Sequence, residues 1–205
     1  MKLRRAGRIA AATLGVSLAV GLAACSSSPD TLSQQWEDAS DKGYIAGDGS
    51  TTSIAPEART EAVEFEGTGE NGDPISSADF AGHVTVVNFW YAGCAPCRAE
   101  APDLIAAYNE FDDQDVKFLG VNTRDGEAVS RGFTEEFGIE YDSILDTVGD
   151  RGVQRAFAGK IPLNAVPTTL VLDTEGRVAH RVLGQIAGES QLRTLISETL
   201  DESGS

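Results

Sequence analysis

The most uniform apolar stretch of the chain is Val84-Thr85-Val86-Val87-Asn88-Phe89-Trp90, rich in β-branched residues and almost free of alternation. That is the pattern of a central strand covered on both faces. Residues 116–122 repeat it and predict a second buried strand. Residues 62–66 alternate apolar and polar positions as a half-exposed strand does, before a Gly- and Asn-rich turn over 67–74. Helical spacing takes over at 97–111, with Leu104, Ile105, Tyr108 and Phe111 on the apolar side. Pro102 is expected to kink this helix or shift its start. A second helix over 128–137 places Phe133 and Phe137 four apart and is stopped by Gly138. Shorter signals follow: a strand at Ile144-Leu145 and a short helix over 151–157. Residues 168–172 and 178–183 flank Asp173-Thr174-Glu175-Gly176 and predict a hairpin, and Leu192, Leu195, Ile196 and Leu200 mark a closing amphipathic helix. Strand–helix alternation ending in a hairpin and a helix predicts an α/β fold with a mixed sheet between helices.

Upstream of this pattern the chain changes character. Lys2, Arg4, Arg5 and Arg8 precede an uncharged run from Ile9 to Ala24, the layout of a secretory signal. The run has 16 residues, short of the roughly 20 that cross a bilayer, and is broken by Gly15 and Gly21. Leu22-Ala23-Ala24-Cys25 resembles the lipobox of bacterial lipoproteins, which implies cleavage before Cys25 and its lipidation. Two acyl chains there would anchor the chain stably. Residues 26–59 are polar and rich in Ser, Thr, Asp and Gly, and read as a tether. The expected organisation is therefore a signal over 1–24, a tether over 25–59, one domain over 60–201 and a polar tail over 202–205.

Charge narrows the partners. The whole chain carries −16, and removal of the four basic signal residues leaves 12 basic against 32 acidic residues, or −20. Such a field repels nucleic acid and anionic lipid surfaces, so neither is an expected partner.

The candidate chemistry sits at Cys94-Ala95-Pro96-Cys97, directly after the first buried strand and at the opening of a helix. A helix N-terminus offers unpaired N–H groups and about half a positive charge, which stabilise a thiolate. Cys94 is thus the expected nucleophile, exposed and with a depressed pKa, and Cys97 the residue that resolves a mixed disulfide. With Cys25 lipidated, these two are the remaining cysteines of the three. Other readings of the motif are weaker. Zinc would need more ligands than this pair and two histidines, His83 and His180, provide in any recognisable spacing. Haem attachment requires His after the second cysteine, where Arg98 stands. A purely structural disulfide would close too small a loop to stabilise much.

The stretch from Asn88 to Pro102 resembles the N-F-W-A-x-W-C-x-P-C-x-x-E-x-P segment of the TlpA/ResA/DsbE group, thioredoxin-like proteins related to the redoxin and AhpC/TSA proteins. The resemblance spans roughly 61–200 and includes Val166-Pro167-Thr168-Thr169. It implies a thioredoxin-like fold with an N-terminal strand extension and an insertion between the second core strand and a cis-proline segment. It also implies that Pro167 is cis and faces the cysteines, in a substrate groove formed by Val166, Pro167, Trp90 and Pro96. Val121-Asn122-Thr123-Arg124-Asp125 resembles the group's segment with an acidic residue near the cysteines, so Asp125 is the candidate for tuning the thiol pKa; an Asp before Gly126 is equally a turn or cap residue. Glu100, Arg98 and Tyr91 read as solvated or packing residues. One departure stands out: the group has Trp directly before the first cysteine, and here that residue is Gly93.

The resemblance implies an extracytoplasmic, lipid-anchored, monomeric thiol–disulfide oxidoreductase that uses no cofactor beyond the Cys94–Cys97 pair. Its partners would be exported proteins with thiols or disulfides, apocytochrome c among them, and a membrane donor of electrons. Oxidation or isomerisation of exported proteins is the alternative within the class, since the dipeptide between the cysteines leaves the direction open. Two further alternatives have related folds. A peroxidase needs Thr three residues before its reactive cysteine, where Tyr91 stands, and a copper-delivery protein needs C-x-x-x-C with a distant His.

Overall fold

The computed structural model describes residues 48–147, 151–160 and 165–204. The signal, the lipobox with Cys25 and most of the expected tether lie outside them. In chain order the first elements are β1 (Ser50–Ser53), β2 (Glu66–Thr68), β3 (Pro74–Ser76), β4 (Val84–Trp90), α1 (Ala95–Phe111) and β5 (Val116–Asn122). Then come α2 (Glu127–Phe137), β6 (Ser143–Leu145), α3 (Gly152–Ala156), β7 (Thr168–Leu172), β8 (Val178–Leu183) and α4 (Glu189–Ser203). Six strands form one sheet in the order β1-β8-β7-β4-β5-β6, and β2 and β3 form a separate hairpin.

All seven residues of β4 are buried, because the strand is covered on both faces and flanked on both sides. It pairs in parallel with β5 and antiparallel with β7. Parallel neighbours require a crossover, and α1 and α2 supply the two between β4, β5 and β6. Side-chain alternation divides the core in two. Val84 and Val86 pack with Leu104, Ala107 and Phe111 of α1 and Leu192, Leu195 and Ile196 of α4. Val87 and Phe89 face the opposite way, towards Val153 and Phe157 at α3 and Val63 and Phe65 from the upstream segment. The fold is thioredoxin-like: a central mixed sheet flanked by helices, with an N-terminal strand and an insertion carrying β6 and α3.

Three expectations need correction. Residues 62–65 are not a paired strand. Val63 and Phe65 do point into the core, but pairing begins only at Glu66. The helix after the cysteines begins at Ala95, and Pro102 lies within its second turn. It removes one helical hydrogen bond without ending the helix.

The tether, finally, is shorter than its polarity suggested. Ser50–Ser53 pairs antiparallel with β8 through an all-exposed strand, so backbone bonds rather than apolar side chains hold it. The Arg59 side chain is buried and donates to Ile54 O, to Asp173 Oδ2 at 3.1 Å and to Glu202, which lies in α4 where a loose tail was expected. Domain structure thus starts upstream of residue 60 and runs to Ser203.

Candidate redox site

The β4 chain leaves the sheet at Trp90 and turns through Tyr91, Ala92 and Gly93 to reach α1. Cys94 is the N-cap of that helix, and its Sγ accepts the Cys97 N–H at 3.2 Å. A sulfur held by a first-turn amide is where negative charge is favoured. The two cysteines are joined by a disulfide, with Cα atoms 5.2 Å apart. Pro96 occupies the second helical position, where a missing N–H leaves no intrahelical bond unmade. Contrary to expectation, Cys94 is not exposed: in the disulfide form its accessibility is 0%. It belongs to a buried cluster with Trp90, Tyr91, Cys97, Ala101, Phe133 and Val166.

Val166 and Pro167 join through a cis peptide bond, and both are buried. Val166 thereby meets the cysteines across the gap between the α1 N-terminus and the start of β7. Trp90, expected in the groove, is 3% exposed. It is buried against Phe133 with ring centroids 4.3 Å apart. Gly120 makes room for it, since a Cβ there would lie 2.9 Å from the indole nitrogen and 2.1 Å from Ser143 Oγ.

Asp125 is placed as a brace of the loop that carries Cys94. Its Oδ2 accepts the Ala92 N–H at 2.6 Å and the Asn122 side-chain N–H at 3.1 Å. Asn122 in turn accepts from the Arg124 and Asp125 amides, which fixes the turn.

Glu100, expected as a solvated or packing residue, is buried with specific partners. It is fully buried one turn beyond Cys97, where it accepts from Asn88 Nδ2 at 2.9 Å and from the Ile186 N–H at 3.0 Å. Asn88 also donates to Thr169, two residues after the cis proline. Burial pushes the Glu100 carboxyl up to about 7; the two hydrogen bonds hold back part of that rise, and the Asp103 charge adds to it. A cavity of about 10 Å³, the size of one water, is lined by Cys97, Asn88 and Tyr141 among others. The arrangement therefore pairs a thiolate-stabilising helix end with a buried carboxyl, raised by that burial, one helical turn beyond the second cysteine.

The distant His required for copper delivery is not in this cluster. His180 lies on β8, with Nδ1 2.9 Å from Ser53 Oγ.

A thioredoxin-like sheet, a C-x-x-C disulfide capping the first crossover helix and, in the cluster around it, Val166 of a cis Val166–Pro167 bond define a thiol–disulfide oxidoreductase. The family model for AhpC/TSA matches residues 58–181, and the chain belongs to that family. It is 32% identical over 145 residues to the thiol:disulfide interchange protein HelX of Rhodobacter capsulatus, covering 68% of this chain and 76% of that one. It is 30% identical over 125 residues to the thiol-disulfide oxidoreductase ResA of Bacillus subtilis, covering 61% of this chain and 66% of ResA, just under two thirds of its length. A solved secreted thiol-disulfide isomerase from Corynebacterium glutamicum superposes with a TM-score of 0.68 at 27% identity, over 76% of this chain and 95% of that one.

Proposed function

We propose that this protein is a membrane-anchored extracytoplasmic enzyme that reduces disulfides of exported proteins, with apocytochrome c cysteines as its substrate class. The observation that carries the exchange chemistry is the Cys97 N–H directed at Cys94 Sγ, which favours Cys94 as thiolate. In the reduced enzyme, Cys94 attacks a substrate disulfide and forms a mixed disulfide, expelling one substrate thiolate. Cys97 then loses its proton to Glu100 and attacks Cys94 Sγ. The second substrate thiol departs, the substrate has gained two electrons, and the enzyme holds the Cys94–Cys97 disulfide. A membrane thiol donor returns the pair to the dithiol, and no cofactor beyond the cysteines is used. HelX and ResA, named for interchange and oxidoreductase activity, support this reading.

The direction is tested by the reduction potential in dithiothreitol buffers. A value near −270 mV, about that of thioredoxin, fits reduction, and one near about −120 mV would overturn it in favour of oxidation. Cys94→Ser is expected to abolish exchange, and Cys97→Ser to trap a mixed disulfide with a C-x-x-C-H peptide. Full activity in both variants would overturn the site. Cys25→Ser is expected to release the protein from the membrane fraction.

A further inference from the structure

Disulfide exchange requires a thiolate to reach Cys94 Sγ, and that atom belongs to a residue with no accessible surface. Within the same cluster Tyr91 is 5% exposed, although it lies only three residues upstream in the turn. Its ring folds back over Gly93: a Cβ on Gly93 would lie 3.4 Å from Cε2 and 3.7 Å from Cδ2 of the ring. Arg124, itself exposed, lies over the ring, its guanidinium carbon 4.2 Å from the centroid. The next residue, Asp125, holds the Ala92 amide. One short loop therefore both covers Tyr91 and fixes the backbone on which it turns.

The sequence pattern is consistent with a single displaced bulk. In the N-F-W-A-x-W-C pattern the small residue stands at position 91 and the aromatic at 93; here Tyr91 and Gly93 exchange those sizes. The Cys94 N–H closes a tight turn onto Tyr91 O, and the ring edge lies 3.4 Å from where a side chain at 93 would begin, so the two positions share one space. The aromatic here is rooted further from the cysteine, and its contacts are with Gly93 and Arg124.

We propose that Tyr91, held against Gly93 by Arg124, is a specificity-determining cover over Cys94. It disfavours small thiols and admits partners whose own contacts compensate for its displacement. This rests on the exchange chemistry proposed above. When an external thiolate attacks the oxidised enzyme, a bond forms to Cys94 Sγ, the Cys94–Cys97 bond breaks and Cys97 leaves as the thiolate. Glutathione has little surface with which to replace the Tyr91 contacts. A protein dithiol spends binding energy from remote contacts on lifting the ring.

The experiment compares second-order rates of reduction of the oxidised full-length protein by glutathione and by reduced thioredoxin. Tyr91→Ala is expected to raise the glutathione rate on the order of tenfold and the thioredoxin rate much less, which narrows the ratio between them. Arg124→Gln, at an exposed position, should raise the glutathione rate roughly two- to fivefold and keeps the test available if Tyr91→Ala does not fold. Wild-type glutathione rates in both variants would overturn the cover while exchange by the wild-type enzyme still stood. Equal acceleration towards both reductants would also overturn it, because the residue would then govern reactivity without selection. A wild-type protein reduced by neither would instead remove the exchange reading on which the cover depends.

Discussion

Replacing Glu100 with Gln isolates the proton held behind Cys97. The side chain keeps its shape and one acceptor oxygen, and the titration disappears. In the wild-type protein the carboxyl is protonated in both folded and unfolded chains below about 4.5. Between there and about 7 the folded chain retains a proton that the unfolded chain has lost, so stability from this group declines as pH rises. Above about 7 both states are ionised, and the folded protein holds a buried charge with two hydrogen bonds as its compensation. A rise of ~2.5 pH units corresponds to about 3 kcal/mol, since each unit is worth roughly 1.4 kcal/mol. Urea unfolding of the oxidised wild type and Glu100→Gln, from pH 4.5 to 8, should show a stability gap that moves by about 3 kcal/mol in favour of the variant. The level of the gap also contains the donor left facing an amide, so the pH dependence is the quantity to read. A gap constant to within about 0.5 kcal/mol across the series would refute the assignment of a near-neutral carboxyl.

Two other perturbations probe the scaffold. Asp125→Ala should lower stability by about 1–2 kcal/mol, because the Ala92 and Asn122 donors lose their acceptor. It should also slow exchange by loosening the turn before Cys94, and thermal denaturation and single-turnover kinetics read the two effects. Arg59→Ala should cost roughly 2–4 kcal/mol, since it removes one of the two cations paired with buried Asp173 among the described residues and releases Glu202. Faster amide exchange at Ser50–Ser53 than in the wild type would show β1 loosening with it.

Much of this fold is legible from apolar patterning alone. The strands at 84–90, 116–122, 168–172 and 178–183 stand where β-branched runs predict them, and Gly138 ends α2 in a left-handed conformation with φ 70°. Elements held by backbone or charge are the ones that escape. Ser50–Ser53 carries no apolar residue, so nothing in its hydrophobicity separates it from linker.

Glu100 escapes for a different reason. Charged side chains are ordinarily solvated, and a reading by residue type puts it outside. Its position was informative nevertheless. Cys97, Glu100, Ala101, Leu104, Ala107 and Phe111 are the buried residues of α1, and they recur at helical spacing on one face. A carboxylate embedded in an apolar stripe is unusual enough to mark a function. Burial at Cys94 escapes as well, because sequence places the sulfur at the helix end but not the cluster of Trp90, Tyr91, Phe133 and Val166 that it joins.

The pairing of β1 with β8 also decides how the domain bears load. A pull on the chain upstream of Asp48 arrives at the sheet edge, where the Ser50–Ser53 ladder meets it in shear with several hydrogen bonds stretched together. Arg59 forms a second fastening behind that ladder, joining the strap to Asp173 and to the end of α4. The redox turn leaves from β4, three strands inward, so β8 and β7 lie between the strap and the strand that carries it. Tension applied upstream of Asp48 would thus be resisted at the rim before it could distort the geometry at Cys94.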